Sequence, residues 1–176
     1  MHRLRWGGLL AVLGALGLLA QGTARTQEKG AAAVDLKVVK YEGLAEAIQQ
    51  NRGKVIVVDF WSNDCLPCKK AMPHLVELYN KHRKDGLAAI TVAVDLAWGN
   101  YNPTVHDSLL KFLKKQGAAF PNLVLDTSKQ VLQDKLRVAA VPSVYVFNRA
   151  GKWTQFTEGI NPEELDALVK KLLAEK

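Results

Sequence analysis

Apolar residues along the chain change their spacing several times, and each change predicts a different element. Runs rich in β-branched residues predict strands, whereas apolar residues three or four positions apart predict helices. The predicted strands cover residues 34–39, 54–61, 87–95, 143–148 and 153–157, with a short apolar stretch at 122–125. The predicted helices cover residues 42–51, 69–84, 105–116, 129–136 and 162–174. This order of elements predicts an α/β fold.

The run at residues 54–61 is almost entirely β-branched or aromatic, which is typical of a central strand covered on both faces. Together with the helix and strand that follow, it forms a β-α-β unit, and the crossover makes its two strands parallel. The last two strands flank a turn at residues 149–152 that predicts an antiparallel hairpin. We therefore expect a central mixed β-sheet flanked by helices on both faces.

The longest apolar run lies at residues 7–20, directly after Arg3 and Arg5. It is shorter than the roughly 20 residues that a spanning helix needs, and small residues suited to signal peptidase follow it. The pattern predicts a signal peptide at 1–24, a flexible tether at 25–33 and one domain over 34–176. An uncleaved N-terminal anchor is the alternative. Either way the domain would lie outside the cytoplasm, with the periplasm as the expected location.

Composition narrows the classes of partner. The chain has 176 residues, 48% of them hydrophobic, which suits one domain with one core. Its formal net charge is +7, but the lysines are scattered and no basic run alternates with aromatic residues. We therefore expect no nucleic-acid binding, and we expect a monomer.

The chain contains two cysteines, Cys65 and Cys68, separated by two residues. A disulfide that closes so small a loop removes little chain entropy, so a chemical purpose is favoured over a structural one. The pair follows a buried strand and opens a helix, where unpaired N–H groups and the helix dipole stabilise a thiolate on Cys65. Pro67 suits the first turn of that helix. A structural disulfide and half of a metal site remain as alternatives, although zinc usually takes four ligands.

The segment at residues 59–69 resembles the active-site segment of thioredoxins. Three further positions carry the same resemblance: Pro73 inside the helix, Val141-Pro142 before the hairpin, and Gly159 after the last strand. The export signal and residues 120–126 are more similar to extracytoplasmic proteins of the TlpA/ResA type than to cytosolic thioredoxin. The resemblance covers residues 34–176 and implies a thioredoxin-like fold.

The resemblance also implies roles. Cys65 would be the nucleophile and Cys68 the resolving cysteine of a thiol–disulfide oxidoreductase, with Asp59 taking the proton from Cys68. A cis bond before Pro142 would shape the substrate-binding surface together with Val141, and Trp61 would form a wall of the active site. The redox-active disulfide would serve without any cofactor. Partners would be protein thiols and disulfides. A membrane protein would donate the electrons that return Cys65 and Cys68 to the reduced state, so that the protein acts as a reductant.

Several residues depart from the thioredoxin pattern. Asp64 stands where thioredoxins usually have tryptophan, Leu66 replaces glycine, and an apolar stretch around Thr91 replaces a buried lysine. These departures leave the direction of exchange open, so a disulfide-forming oxidant is one alternative. A Cu(I)-binding thiol protein is a second alternative, because soft thiolates select that ion. A non-catalytic binding module is the third.

Two further features are expected to be structural rather than chemical. Residues 96–107 form a link longer than the fold requires, and its aromatic residues are expected to pack against one another, although the link could instead shape partner choice. His74, His82 and His106 lie on predicted helices without ligand spacing, so we expect them at the surface.

Overall fold

The computed structural model describes residues 33–158 and 161–175. Its strands are β1 (Lys37–Val39), β2 (Val55–Trp61), β3 (Leu87–Ala93), β4 (Asn122–Leu125), β5 (Ser143–Phe147) and β6 (Trp153–Thr157). Its helices are α1 (Tyr41–Gln49), α2 (Leu66–His82), α3 (Pro103–Gln116), α4 (Lys129–Asp134) and α5 (Pro162–Ala174). Every predicted element is present, and the ends of several are shifted by a few residues.

The six strands form one mixed sheet in the order β1-β4-β3-β2-β5-β6. The first four strands of that order run parallel to one another, whereas β5 is antiparallel to both β2 and β6. Strands β2 and β3 occupy the middle of the sheet, and all of their residues are buried. The predicted α/β fold with a central mixed sheet is therefore confirmed.

Alternate residues of β2 point to opposite faces of the sheet, so the sheet separates two apolar clusters. Val57 and Trp61 belong to the cluster that includes residues of α2, α3 and α5. Ile56 and Phe60 belong to the cluster that includes residues of α1 and α4. Helices thus cover both faces, as predicted. Asp59 has the same parity as Val57, which places it on the α2 side.

Helix ends follow their capping residues. The Asn161 side chain accepts a hydrogen bond of 2.9 Å from the Glu163 N–H and so caps α5, as its sequence predicts. Helix α2 begins at Leu66, three residues before the predicted start at Lys69. The difference arises because Cys65 itself is the capping residue and Pro67 is accepted in the first turn.

One arginine joins three segments at the end of the sheet where β2 and β3 begin. The Arg149 guanidinium donates to the carbonyls of Gly53 at 3.1 Å, Asp85 at 3.4 Å and Leu173 at 3.3 Å. These carbonyls precede β2, precede β3 and lie near the end of α5. The turn between β5 and β6 is thereby tied to both central strands and to the last helix.

A buried polar network joins β3 to β4. The Thr91 hydroxyl donates to the Asn122 side-chain oxygen at 2.8 Å, and the Asn122 amide donates to the carbonyls of Ala118, Phe120 and Asp35 at 2.9, 2.8 and 3.2 Å. Replacing Asn122 with alanine would leave several of these buried groups unpaired. We expect Asn122→Ala to lower the free energy of unfolding by about 3 kcal/mol, measured by urea denaturation.

The matched variant for Asn122→Ala is Thr91→Val, which keeps the shape of the side chain and removes a single hydrogen bond. It should lower the free energy of unfolding by about 1 kcal/mol. Equal losses in the two variants would contradict the view that the Asn122 amide carries most of the network.

The described residues do not reach the predicted N-terminal segments. The signal peptide at 1–24 and nearly all of the tether at 25–33 lie outside them, as does Gly159. None of the helices within the described ranges is long and apolar enough to cross a membrane.

Candidate active site

The two cysteines lie at the N-terminus of α2, directly after the end of β2, and form a disulfide with an S–S distance of 2.02 Å. Cys65 caps the helix, and its sulfur accepts a hydrogen bond of 3.2 Å from the Cys68 N–H. Cys65 is 9% exposed, whereas Cys68 is fully buried. A reagent or substrate approaching from outside therefore meets the Cys65 sulfur first.

The position of Cys65 at the N-terminus of α2 favours a negative charge on its sulfur. An N-terminal helix position offers unpaired N–H groups and the positive end of the helix dipole, both of which stabilise a thiolate. The Cys68 N–H already points at Cys65 Sγ in the disulfide form. The same hydrogen bond is available to a thiolate at Cys65, and this is the species that attacks disulfides.

A hydrogen-bonded network holds the segment between β2 and Cys65. Asp95, buried two residues after the end of β3, accepts hydrogen bonds of 3.0 and 3.2 Å to its two carboxylate oxygens from the Asn63 N–H. The Asn63 side-chain oxygen accepts from Lys69 at 3.2 Å and from Ser108 at 2.9 Å. Burial raises the pKa of Asp95, and the hydrogen bond from Asn63 lowers it in part. The approach to Cys65 is thus fixed from β3, α2 and α3.

Asp59 lies in the middle of β2, opposite Thr91 of β3 and Val144 of β5. It is 5% exposed, and no residue in the described ranges donates a hydrogen bond or forms an ion pair with its carboxyl group. Burial raises the pKa of Asp59 from 3.8 to about 7. Near neutral pH this carboxyl group is therefore able both to accept and to release a proton.

A cavity of about 170 Å³ lies beside Asp59. Its wall includes Pro67, directly before Cys68 on α2, Ala71, about one turn after Cys68, and Pro142 from the segment before β5. His74 lines the same cavity one turn further along α2. The cavity therefore connects the neighbourhood of the resolving cysteine, the buried acid and a histidine.

A larger open groove of about 610 Å³ passes the Cys65 side of the site. Leu66, Trp98, Lys129 and Val141 line this groove together with Cys65. The peptide bond between Val141 and Pro142 is cis, as the resemblance to thioredoxins implies. Val141 lines the groove and Pro142 lines the Asp59 cavity, so the cis pair lies between the two.

Comparison with known proteins agrees with this arrangement. The sequence profile described as the AhpC/TSA family matches residues 29–155, which is most of the chain. The chain belongs to the AhpC/TSA family. The match includes both cysteines, Asp59 and the cis-proline segment, so the described site lies within the family's own region of similarity.

Relatives of this AhpC/TSA protein bear the name thiol-disulfide oxidoreductase ResA. The ResA of Bacillus subtilis (strain 168) is 28% identical over 166 residues, which cover 92% of this chain and 87% of the relative. The ResA of Geobacillus thermodenitrificans (strain NG80-2) is 29% identical over 160 residues, which cover 89% and 86%. The present chain, a member of the same thioredoxin-like group, is a thiol–disulfide oxidoreductase.

Solved structures show the same fold. A putative thiol:disulfide interchange protein DsbE from Chlorobium tepidum superposes with a TM-score of 0.55 and 25% identity, covering 72% of this chain and 83% of that one. The thioredoxin-like fold predicted for this AhpC/TSA protein is therefore confirmed.

The expectation that Trp61 forms a wall of the active site is wrong in one respect. Its side chain is fully buried, so it cannot contact a substrate. Trp61 ends the central strand on the α2 side, where the Phe112 ring of α3 packs against it at 5.5 Å between centroids. Trp61 therefore supports the site from inside, and Trp98 lines the groove beside Cys65.

The three histidines on helices, His74, His82 and His106, are only partly exposed, whereas the sequence predicts that they lie at the surface. His74 Nε2 lies 3.0 Å from Asp166 Oδ1 on α5, and His82 Nδ1 lies 3.1 Å from Asp85 Oδ2. His106 pairs with the Tyr101 hydroxyl at 2.6 Å. Within the link at residues 96–107, Tyr101 packs against the apolar cluster on the α2 side and Trp98 against the cluster on the opposite face, so these two residues do not pack against each other as expected. Sequence reasoning missed His74, because its partner lies on a different helix.

Proposed function

We propose that this oxidoreductase reduces disulfides of other proteins outside the cytoplasm. Cys65 is the nucleophile and Cys68 the resolving cysteine. The observation that carries these two assignments is the contrast in exposure, 9% for Cys65 against 0% for Cys68, at the N-terminus of one helix. An accessible sulfur can attack a partner, whereas the buried sulfur can only attack the bond that the first one has formed.

The reaction is dithiol–disulfide exchange. The Cys65 thiolate attacks one sulfur of the substrate disulfide, a mixed disulfide forms, and the other substrate sulfur leaves and takes up a proton. Cys68 then loses its proton to the Asp59 carboxylate and displaces the first substrate sulfur, leaving Cys65 and Cys68 bonded to each other. Electrons come from the dithiol, so no cofactor is required.

The groove beside Cys65 suits an extended segment of a protein substrate. The groove is open and Cys65 lies in its wall together with Val141, whose backbone would lie against the segment next to the cis-bonded Pro142. Val141 and Pro142 would thus bind the substrate, and the substrates would be the thiols and disulfides of other proteins.

Leu66 offers a test of groove binding. It lies between the cysteines, lines the groove and is 62% exposed, so a bound protein would bury it. We expect Leu66→Ala to lower kcat/KM for reduction of insulin by about tenfold, because about 1 to 2 kcal/mol of apolar burial is lost. The rate with Ellman's reagent, a small aromatic disulfide, should stay unchanged.

The control for Leu66→Ala is Lys70→Ala, an exposed position of α2 that does not line the groove. Its kcat/KM with insulin should match that of the unaltered protein. Equal effects of Leu66→Ala on insulin and on Ellman's reagent would count against a protein-binding groove.

The direction of exchange is tested by the reduction potential of the Cys65–Cys68 pair, measured by equilibration in glutathione and dithiothreitol buffers. A value near that of thioredoxin, about −270 mV, supports a reductase, whereas one near strong oxidants, about −120 mV, reverses the direction. A pair that exchanges with neither buffer would contradict the proposal as a whole.

Export and partners complete the proposal. Residues 1–24 would direct export to the periplasm, with an uncleaved anchor as the alternative, and a membrane protein would supply electrons to a monomeric domain. The N-terminal charge and apolar pattern support export. The mass of the protein recovered from the periplasm tests it, since a cleaved chain lacks the first 24 residues or close to that number.

A further inference from the structure

The buried acid needs a route by which its proton reaches solvent. Asp59 is surrounded by β-strands and apolar side chains, and it faces the cavity of about 170 Å³. Since a water molecule occupies about 30 Å³, the cavity has room for several. Its other lining residues are apolar except for one, His74. His74 is thus the one titratable residue besides Asp59 among the residues that line the cavity.

Helix geometry explains why His74 faces the cavity. Pro67, Ala71 and His74 lie four and three residues apart, so they share one face of α2. This face also carries Leu75, another lining residue. The cavity thus extends along α2 from the residue before Cys68 to the histidine.

A carboxylate on a different element holds the outer side of this histidine. Asp166 of α5 lies 3.0 Å from His74 Nε2, and the two side chains are 30% and 29% exposed. Both side chains are partly exposed, so the pair lies within reach of solvent. The other charged residues one turn away on the two helices are exposed: Lys70, Glu77, Glu163 and Lys170.

We propose that His74, positioned by Asp166, relays the proton between Asp59 and solvent during the resolving step. The inference rests on the proposed role of Asp59. Cys68 gives its proton to the Asp59 carboxylate as the Cys65–Cys68 bond forms and the substrate sulfur leaves with its electron pair. The Asp59 carboxylic acid passes its proton across the cavity to the neutral imidazole, which releases it to solvent. This transfer frees Asp59 to accept the Cys68 proton when Asp59 starts out protonated, and it also removes the proton that Cys68 has given.

Ellman's reagent separates the two chemical steps of the reduced protein. Attack by Cys65 releases the first coloured thiolate, and attack by Cys68 on the mixed disulfide releases the second. Below neutral pH most Asp59 carboxyl groups are protonated, because the pKa is about 7, and must lose a proton before they can accept one. Above neutral pH they are already ionised. A relay is therefore needed for the second release only below neutral pH.

The test variant is His74→Gln, which keeps a polar side chain beside Asp166 but cannot carry a proton. In weak buffer near pH 6.5 we expect the second release to slow about fivefold, less than for loss of a direct acid or base, while the first release is unchanged. At about pH 8.5 both releases should match the unaltered protein. Added imidazole should restore the second release at the lower pH, which a purely structural contact would not permit.

The matched control is His82→Gln on the same helix. His82 is likewise paired with an aspartate, Asp85, but does not line the cavity. Both releases should be unchanged in it at either pH. Asp166→Asn should slow the second release at the lower pH, by less than His74→Gln does, because the imidazole remains.

Three outcomes for His74→Gln would overturn the relay: an unchanged second release near pH 6.5, equal slowing at both pH values, or no response to imidazole. Asp59→Asn separates these failures from failure of the proposed function. If Asp59→Asn slows the second release and His74→Gln does not, the relay alone is wrong. If Asp59→Asn has no effect, the assignment of Asp59 as proton acceptor is wrong as well.

Discussion

Replacing Cys65 with serine is expected to abolish disulfide exchange, with a fall in rate of about 10⁴-fold or more. A serine hydroxyl is far less acidic than a thiol and does not attack disulfides under these conditions. The remaining cysteine cannot substitute, because Cys68 is fully buried at the start of α2. The measurement is the reduction of insulin by dithiothreitol in the presence of each variant.

Cys68→Ser is the companion variant, and its expected result differs in kind. Cys65 should still attack, but without a resolving thiol the mixed disulfide should accumulate. Mass spectrometry of the protein after incubation with a substrate disulfide would detect the adduct on Cys65. If Cys65→Ser forms the adduct, Cys68 is the nucleophile and the two assigned roles are reversed. If Cys65→Ser still reduces insulin, Cys65 is not required and its assignment as nucleophile is wrong.

Asp59→Asn is expected to have two large effects, one on catalysis and one on stability. Asparagine keeps the shape of the side chain but cannot accept a proton. The second release from Ellman's reagent should therefore slow by about 10²-fold above neutral pH, where Asp59 is ionised in the unaltered protein. The first release should be unchanged, because Cys65 does not depend on this acceptor.

The effect of Asp59 on stability follows from its raised pKa. In the unfolded chain the carboxyl ionises near 3.8, whereas in the folded protein burial raises its pKa to about 7. Between these values the folded state binds more protons than the unfolded state, so the free energy of unfolding falls as pH rises. The full loss, reached above the folded pKa, is about 4 kcal/mol.

Asp59→Asn removes this titration, so the variant should be more stable than the unaltered protein above neutral pH, by up to that amount, and similar to it near pH 4. Urea denaturation at a series of pH values measures the difference. Asp107→Asn, at an exposed position of α3, is the matched control and should not alter the pH dependence. A parallel pair of curves for Asp59→Asn and the unaltered protein would contradict the raised pKa.

The elements that the sequence predicts well are those whose patterns are local. Strand β2 appears where expected because a strand covered on both faces is almost continuously apolar, and Asp59 is the one polar residue in it. The pair Cys65 and Cys68, and the cis bond at Val141-Pro142, were also predicted from short motifs. Strand β1 is shorter than predicted, since it pairs only with β4 and only over three residues.

The features missed by sequence reasoning depend on contacts between distant segments. The Phe112 ring of α3 packs against Trp61, and nothing near Trp61 in the sequence predicts that α3 is its neighbour. The Asn63 contact with Ser108 and the His74 contact with Asp166 join elements whose relative placement is set by the whole sheet. By contrast, the lack of a lysine near Thr91 was visible in sequence, and Thr91 bonds to Asn122 instead.

The hydrogen bonds of Arg149 show which end of the sheet is held fixed and which end is free to change in sequence during evolution. Its guanidinium fixes the end of the sheet where β2 and β3 begin, while the cysteines and their groove lie at the other end of these strands. Segments at the catalytic end can therefore lengthen or change sequence while the opposite end stays anchored. The long link between β3 and α3, with Trp98 in the groove, is such a segment, and new substrate preferences can arise there without rebuilding the fold.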